Sequence, residues 1–82
     1  MPATPNLSEL IAYISRGLVD HPDQVSVEVV REDRTDVLEL TVDREDLGKV
    51  IGKQGRTVKA MRALLSAASA KLRKRADLEI LE

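Results

Sequence analysis

The sequence contains no cysteine, tryptophan or phenylalanine, and Tyr13 is its single aromatic residue. Without cysteine there are no disulfides and no thiolate metal sites, a composition that suits a reducing cytoplasm. With one aromatic, a platform on which successive bases stack is excluded as well. Histidine is equally scarce. His21 stands alone beside a helix-ending Pro22, a place for capping or surface contact rather than catalysis. No nucleophile and base can be paired, so no catalytic residue, metal ligand or cofactor is expected. The acids Glu32, Asp33 and Asp36 cluster at a turn, which solvent explains without a metal. No segment approaches the roughly 18 apolar residues of a membrane helix, and the leading MPATPNLSEL has no basic stretch before an apolar run. A cytoplasmic location with no membrane partner is the expectation.

What is present is ordinary in amount and uneven in placement. The 82 residues are 43% hydrophobic and 33% charged, which predicts one soluble folded domain near the lower size at which a core holds alone. We read residues 1–5 as an N-terminal tail and 6–82 as the domain. The net charge of −1 conceals a division: residues 1–46 hold four arginines against eleven acids, and residues 47–82 hold nine bases against three acids. Between Leu47 and Ala76 there are nine bases and no acid, an asymmetry that points to a polyanion or, more plainly, to a solvated basic helix face.

Spacing gives the elements. Asn6 with Glu9 forms a capping pair, and Leu7, Leu10, Ile11, Ile14 and Leu18 recur at helical steps, predicting a helix over 7–19 that Asp20-His21-Pro22 ends. Val25, Val27 and Val29 alternate with polar residues, as do Leu38, Leu40 and Val42, predicting two strands joined as a hairpin at Asp33-Arg34. Asp43 caps a short helix with Leu47, Val50 and Ile51 inward, and Gly52 ends it in a left-handed conformation. A longer helix with Val58, Met61, Leu65, Ala68 and Leu72 on one stripe reaches about Lys74, and DLEIL forms a last strand. A two-helix crossover makes that strand parallel to its neighbour.

The segment GKVIGKQGRT, residues 48–57, lies between the two later helices. Gly52 and Gly55 allow a sharp turn and leave no side chain in the way of an approaching group, and the next helix begins with unpaired N–H groups. Lys53 at the tip, Lys49 before it, and Arg56 and Lys59 after it add charge, an arrangement suited to a phosphate diester. A nucleotide P-loop is excluded, because Gly48 to Lys53 is one residue short of that motif and Gln54 stands where it needs Ser or Thr.

VIGKQGRTVK resembles the signature of KH domains: the apolar pair Val50 and Ile51, the loop Gly52, Lys53, Gln54, Gly55, and the apolar Val58 three residues on. The element order is similar to the type II, prokaryotic KH fold, and GKVIGKQGRTVKAMR with LVDHP resembles the small bacterial single-KH proteins of the KhpA family. The resemblance implies an α+β fold, with a three-stranded sheet carrying three helices on one face. It also implies a groove for about four unpaired RNA nucleotides. Gly52, Lys53, Gln54 and Gly55 would then meet the sugar-phosphate backbone, Lys49, Arg56 and Lys59 would add phosphate charge, and Val50, Ile51 and Val58 would line the groove or the core beneath. It further implies a homodimer, or a heterodimer with a Jag-like (KhpB) RNA-binding partner. A rival reading keeps the fold but uses it chiefly for assembly, since the alanine-rich helix with Leu64 beside its stripe offers surplus apolar surface.

Overall fold

The computed structural model describes residues 6–82; the expected tail lies outside the described residues. The first helix, α1, spans Leu7–Leu18. Asn6 Oδ1 accepts hydrogen bonds from the backbone N–H groups of Ser8 at 3.1 Å and Glu9 at 3.3 Å, satisfying two donors that a helix start leaves unpaired. Its buried face is Leu7, Ile11, Ala12 and Ser15. Leu18, expected on that face, sits exposed at the last turn, and Val19 is already extended, so the helix stops one residue early.

Strands β1 (Ser26–Glu32) and β2 (Thr35–Thr41) form the antiparallel hairpin, with Val27 opposite Leu40 and Val29 opposite Leu38. Asp33 takes the left-handed conformation, φ 55°, that the two-residue turn needs. The alternation of valines does not translate into uniform burial. Val25 is buried, Val27 half-buried and Val29 50% exposed, because the helices and the core lie under β2 and the last strand and cover only the start of β1.

Asp43 Oδ1 accepts from Glu45 N–H at 2.9 Å and starts a single 3₁₀ turn, Arg44–Asp46, that feeds α2, Leu47–Ile51. Helix α3 covers Arg56–Lys71 and buries Val58, Met61, Leu65 and Ser69. It ends three residues before the expected Lys74. Lys74 N–H bonds Ser69 O at 2.9 Å and Arg73 N–H bonds Ala70 O at 3.0 Å, a Schellman closure with Arg73 in the left-handed position usually given to glycine. The stop frees Arg75 to open β3, Arg75–Ile80, which runs parallel to β2 with Leu38 opposite Leu78.

The sheet order is therefore β1-β2-β3, in an α+β fold of three helices and a mixed three-stranded sheet. Ile11, Leu38, Leu40, Val50, Met61 and Leu65 are almost wholly removed from water and join all three helices to the central strand. Side chains alternate across a strand, so the other face carries Glu28, Glu39 and Glu79 abreast on the three strands. The acidic half of the sequence thus supplies much of the sheet, and the basic half supplies α3 and the turns at its two ends.

Candidate nucleic-acid interface

The backbone of the GKQG turn is built from three positive φ angles. Gly52 has φ 79° as expected, but its ψ of 170° is extended rather than left-handed, a region open to glycine. The left-handed residues are Gln54, at φ 58° and ψ 26°, and Gly55, at φ 74° and ψ 14°. Gly52 N–H donates to Gly48 O at 2.8 Å and Gly55 N–H to Gly52 O at 3.1 Å, which closes the turn from both sides. Gly55, as N-cap of α3, offers no side chain to the helix start. Lys53 and Gln54 stand exposed at the tip, and Arg56 and Lys59 are exposed on the first turns of α3. Arg56 Nη2 donates to Gln54 Oε1 at 3.4 Å and keeps its guanidinium against the tip.

The other expected site residues are placed differently. Val50 is completely buried and Val58 nearly so; both belong to the core beneath the turn, while Ile51 is half-buried and keeps some surface. On β3, Ile80 is likewise half-buried beside the core. Lys49 turns toward α1: its Nζ pairs with Asp20 and lies 3.4 Å from Asp46 Oδ1. Its hydrogen bond to Asp20, only partly opposed by burial, raises its pKa above the usual lysine range. With two carboxylates beside it, Lys49 has less charge to offer a phosphate than Lys53 or Lys59.

Asp46 is the residue that spacing did not single out. It reads as one more acid of a helix start, yet it is fully buried. Its carboxylate accepts from Asp20 N–H at 3.2 Å, from His21 N–H at 3.0 Å and from Lys49, with His21 Nδ1 at 3.0 Å. It thereby fastens the chain leaving α1 to the start of α2. Burial pushes its pKa up, but the backbone and side-chain donors around it outweigh burial and hold it below the usual carboxylate value. The hydrogen bond to Asp46 in turn raises His21 above its ordinary value. His21 is thus a structural partner of a buried carboxylate. The signal in the sequence was the pair of polar residues before Pro22, which needed something to bind.

A concavity of about 570 Å³ runs beside β3, where Arg62 donates to Leu78 O from Nε at 3.3 Å and from Nη2 at 3.2 Å. Glu32, Asp77 and Glu79 also line it, so its character is mixed rather than cationic.

A three-helix, three-stranded fold with a glycine-shaped basic turn between α2 and α3 defines a KH domain. The family model described as "KhpA/KhpB, KH domain" matches residues 8–80, and the chain belongs to that family. It is 47% identical over 75 residues to the RNA-binding protein KhpA of Clostridium acetobutylicum, covering 92% of this chain and 100% of that one. To the RNA-binding protein KhpA of Aquifex aeolicus it is 46% identical over 76 residues, covering 93% and 96%. Among solved structures, Aquifex aeolicus Era bound to GDP·AlF4⁻ superposes with a TM-score of 0.62 at 23% identity, across 98% of this chain and 31% of that one. Era in complex with nucleotides of 16S ribosomal RNA gives 0.58 at 24%, across 98% and 30%. These two share the fold.

Proposed function

We propose that this chain is a cytoplasmic, non-enzymatic protein that binds single-stranded RNA, holding about four unpaired nucleotides with the GKQG turn on the phosphates and apolar side chains beneath the bases. The observation that carries the reading is the exposed tip itself: Lys53 and Gln54 between two glycines, followed by Arg56 and Lys59, with no acid in the segment. That KhpA relatives are named RNA-binding proteins supports it. Gly52, Lys53, Gln54 and Gly55 contact the sugar-phosphate chain, Arg56 and Lys59 add charge, and Ile51 is the apolar group of the set with surface to offer a base. Val50 and Val58 act from below by holding the turn in shape. Lys49 acts chiefly as the partner of Asp20 and Asp46.

Titration of a fluorescent single-stranded RNA of about four nucleotides, long enough to fill the turn alone, across a salt series tests this. Three cations each neutralising one phosphate give a log–log slope of roughly −2, from about −0.7 per phosphate of a single strand. Duplex RNA, whose bases are paired, binds poorly. Equal affinity for duplex and single strand with a slope near −6, about three times the expected value, would leave only a polyanion surface.

A second reading, assembly, is favoured by one feature of α3. Ala60, Ala63, Leu64 and Ala67 lie at helical spacing and are all exposed, a second apolar stripe away from the core. Self-pairing, or pairing with a KH partner of the KhpB kind, would cover it and is compatible with RNA binding.

A further inference from the structure

The GKQG turn accounts for the cations at one end of α3. At the other end, about 24 Å away for sixteen residues at 1.5 Å each, is a second group that the turn does not explain. Arg31 and Arg34 from the hairpin meet Arg73, Lys74 and Arg75 from the α3–β3 connection around a concavity of about 530 Å³. Asp36 is the one acid lining it, and it pairs with Arg31 at 3.6 Å. Four cations in that lining make no ion pair among the described residues.

Two structural causes for such a cluster can be weighed. The C-terminus of a helix favours positive charge within its last turn, which accounts for Arg73 and Lys74. It does not account for Arg31 and Arg34, which come from a different element and are brought to the same place by the sheet register that sets Thr35 opposite Arg75. Bringing cations from two elements together costs repulsion that an anion removes. The concavity is open, all five cations are exposed, and no aromatic side chain lines it, so its chemistry is that of phosphate contact without base stacking.

We infer that Arg31, Arg34, Arg73, Lys74 and Arg75 form a second phosphate-binding site, which takes the backbone of an RNA strand outside the few nucleotides held at the GKQG turn. The inference rests on the RNA-binding reading above and extends it: the turn positions a short segment, and the second site lengthens the footprint along α3 without reading sequence. The acidic row Glu28, Glu39 and Glu79 on the uncovered sheet face discourages a path across that side.

The test compares Arg34→Gln/Lys74→Gln with the unaltered chain. Neither side chain has an ion pair to lose, and the hydrogen bond of Lys74 to Ser69 is made by its backbone, so the fold is retained, as circular dichroism checks. Single-stranded RNAs of about four and about twelve nucleotides are titrated across salt. For the longer RNA, the double variant flattens the log–log slope by about 1.4, two phosphates at roughly 0.7 each, and lowers affinity about tenfold at low salt. For the shorter RNA it changes nothing. An unchanged slope and affinity with the longer RNA overturn the second site, and so does an equal loss with both lengths, which would make it a general field effect. If neither RNA responds to Lys53→Asp with Gln54→Asp, the failure lies with the turn and not with the second site.

Discussion

Gly52 lies so close beneath Thr57 that a Cβ built on it would come within 2.2 Å of Thr57 Oγ1 and 2.8 Å of the Thr57 backbone nitrogen. The two glycines of the turn are therefore required for different reasons. Gly55 needs only its left-handed backbone, for a Cβ there would meet Val58 Cγ1 at an ordinary 3.9 Å. Gly55→Ala should cost roughly 1–2 kcal/mol, the penalty of a left-handed conformation. Gly52→Ala adds a clash with backbone that cannot rotate away, and should cost roughly 3 kcal/mol or more. Urea denaturation of the two variants checks the order; equal costs would mean that the approach of Thr57 is not a constraint.

The Asp46 cluster makes stability depend on pH in two limbs. His21 has a raised pKa, mainly through its hydrogen bond to Asp46, so its contribution is complete below its ordinary 6.5 and is lost as pH rises through the folded value. Asp46 has a lowered pKa, so its contribution is complete above the ordinary 3.8 and is lost as pH falls through the folded value. The two are both complete between those values, and melting temperature should peak there. His21→Gln should flatten the alkaline fall and move the acid one modestly upward in pH, since the imidazole is one of the donors that hold Asp46 low. Asp46→Ala should lower the melting temperature by several degrees throughout, because the N–H groups of Asp20 and His21 lose their acceptor. A pH profile of His21→Gln identical to that of the unaltered chain would contradict this assignment.

Arg73 occupies, at φ 55°, the C′ position of α3 where glycine is free of strain. Arg73→Gly should stabilise the fold by about 0.5 kcal/mol, the relief of strain being partly offset by a freer unfolded chain. If Arg73 belongs to the second phosphate site, the same variant should also weaken binding of the longer RNA. A more stable chain that binds less well would separate the two roles.

Much of this could be read along the chain, and what could not has a common cause. The caps at Asn6 and Asp43, the hairpin turn at Asp33-Arg34, the inward Leu38, Leu40, Met61 and Leu65, and the turn at Gly52 to Gly55 are local patterns, and local patterns survive in a sequence. Sequence proximity to the turn makes Lys49 look like a phosphate contact, whereas its partner Asp20 lies 29 residues away. The burial of Asp46 likewise depends on a segment about 25 residues earlier folding against it. Val29 alternates correctly, but only the packing of the helices under β2 and β3 shows that its end of β1 is left uncovered. The cations Arg31, Arg34, Arg73, Lys74 and Arg75 are split between the acidic and basic halves, and it is the parallel pairing of β2 with β3 that gathers them.

Leu64 is 54% exposed in the middle of the outer stripe of α3. If that stripe is an assembly surface, the chain should show a concentration-dependent dimer by light scattering. Leu64→Glu should then weaken the dimer at least about tenfold, since a charge would enter an apolar contact, while the melting temperature of the monomer stays unchanged. A chain that is monomeric at every concentration, with no KH partner captured, removes the assembly reading and leaves RNA binding as it stands.

The central claim is that the exposed tip of the GKQG turn holds the phosphates of single-stranded RNA, and it is tested most directly by Lys53→Asp with Gln54→Asp. Both side chains face solvent, and Asp tolerates the left-handed backbone at position 54, so the far-ultraviolet spectrum and melting temperature should be retained. Two negative charges placed where phosphates dock should reduce affinity for a short single-stranded RNA at least about a hundredfold, as like charges replace a phosphate-binding cation. A folded double variant that binds that RNA as tightly as the unaltered chain would contradict the account.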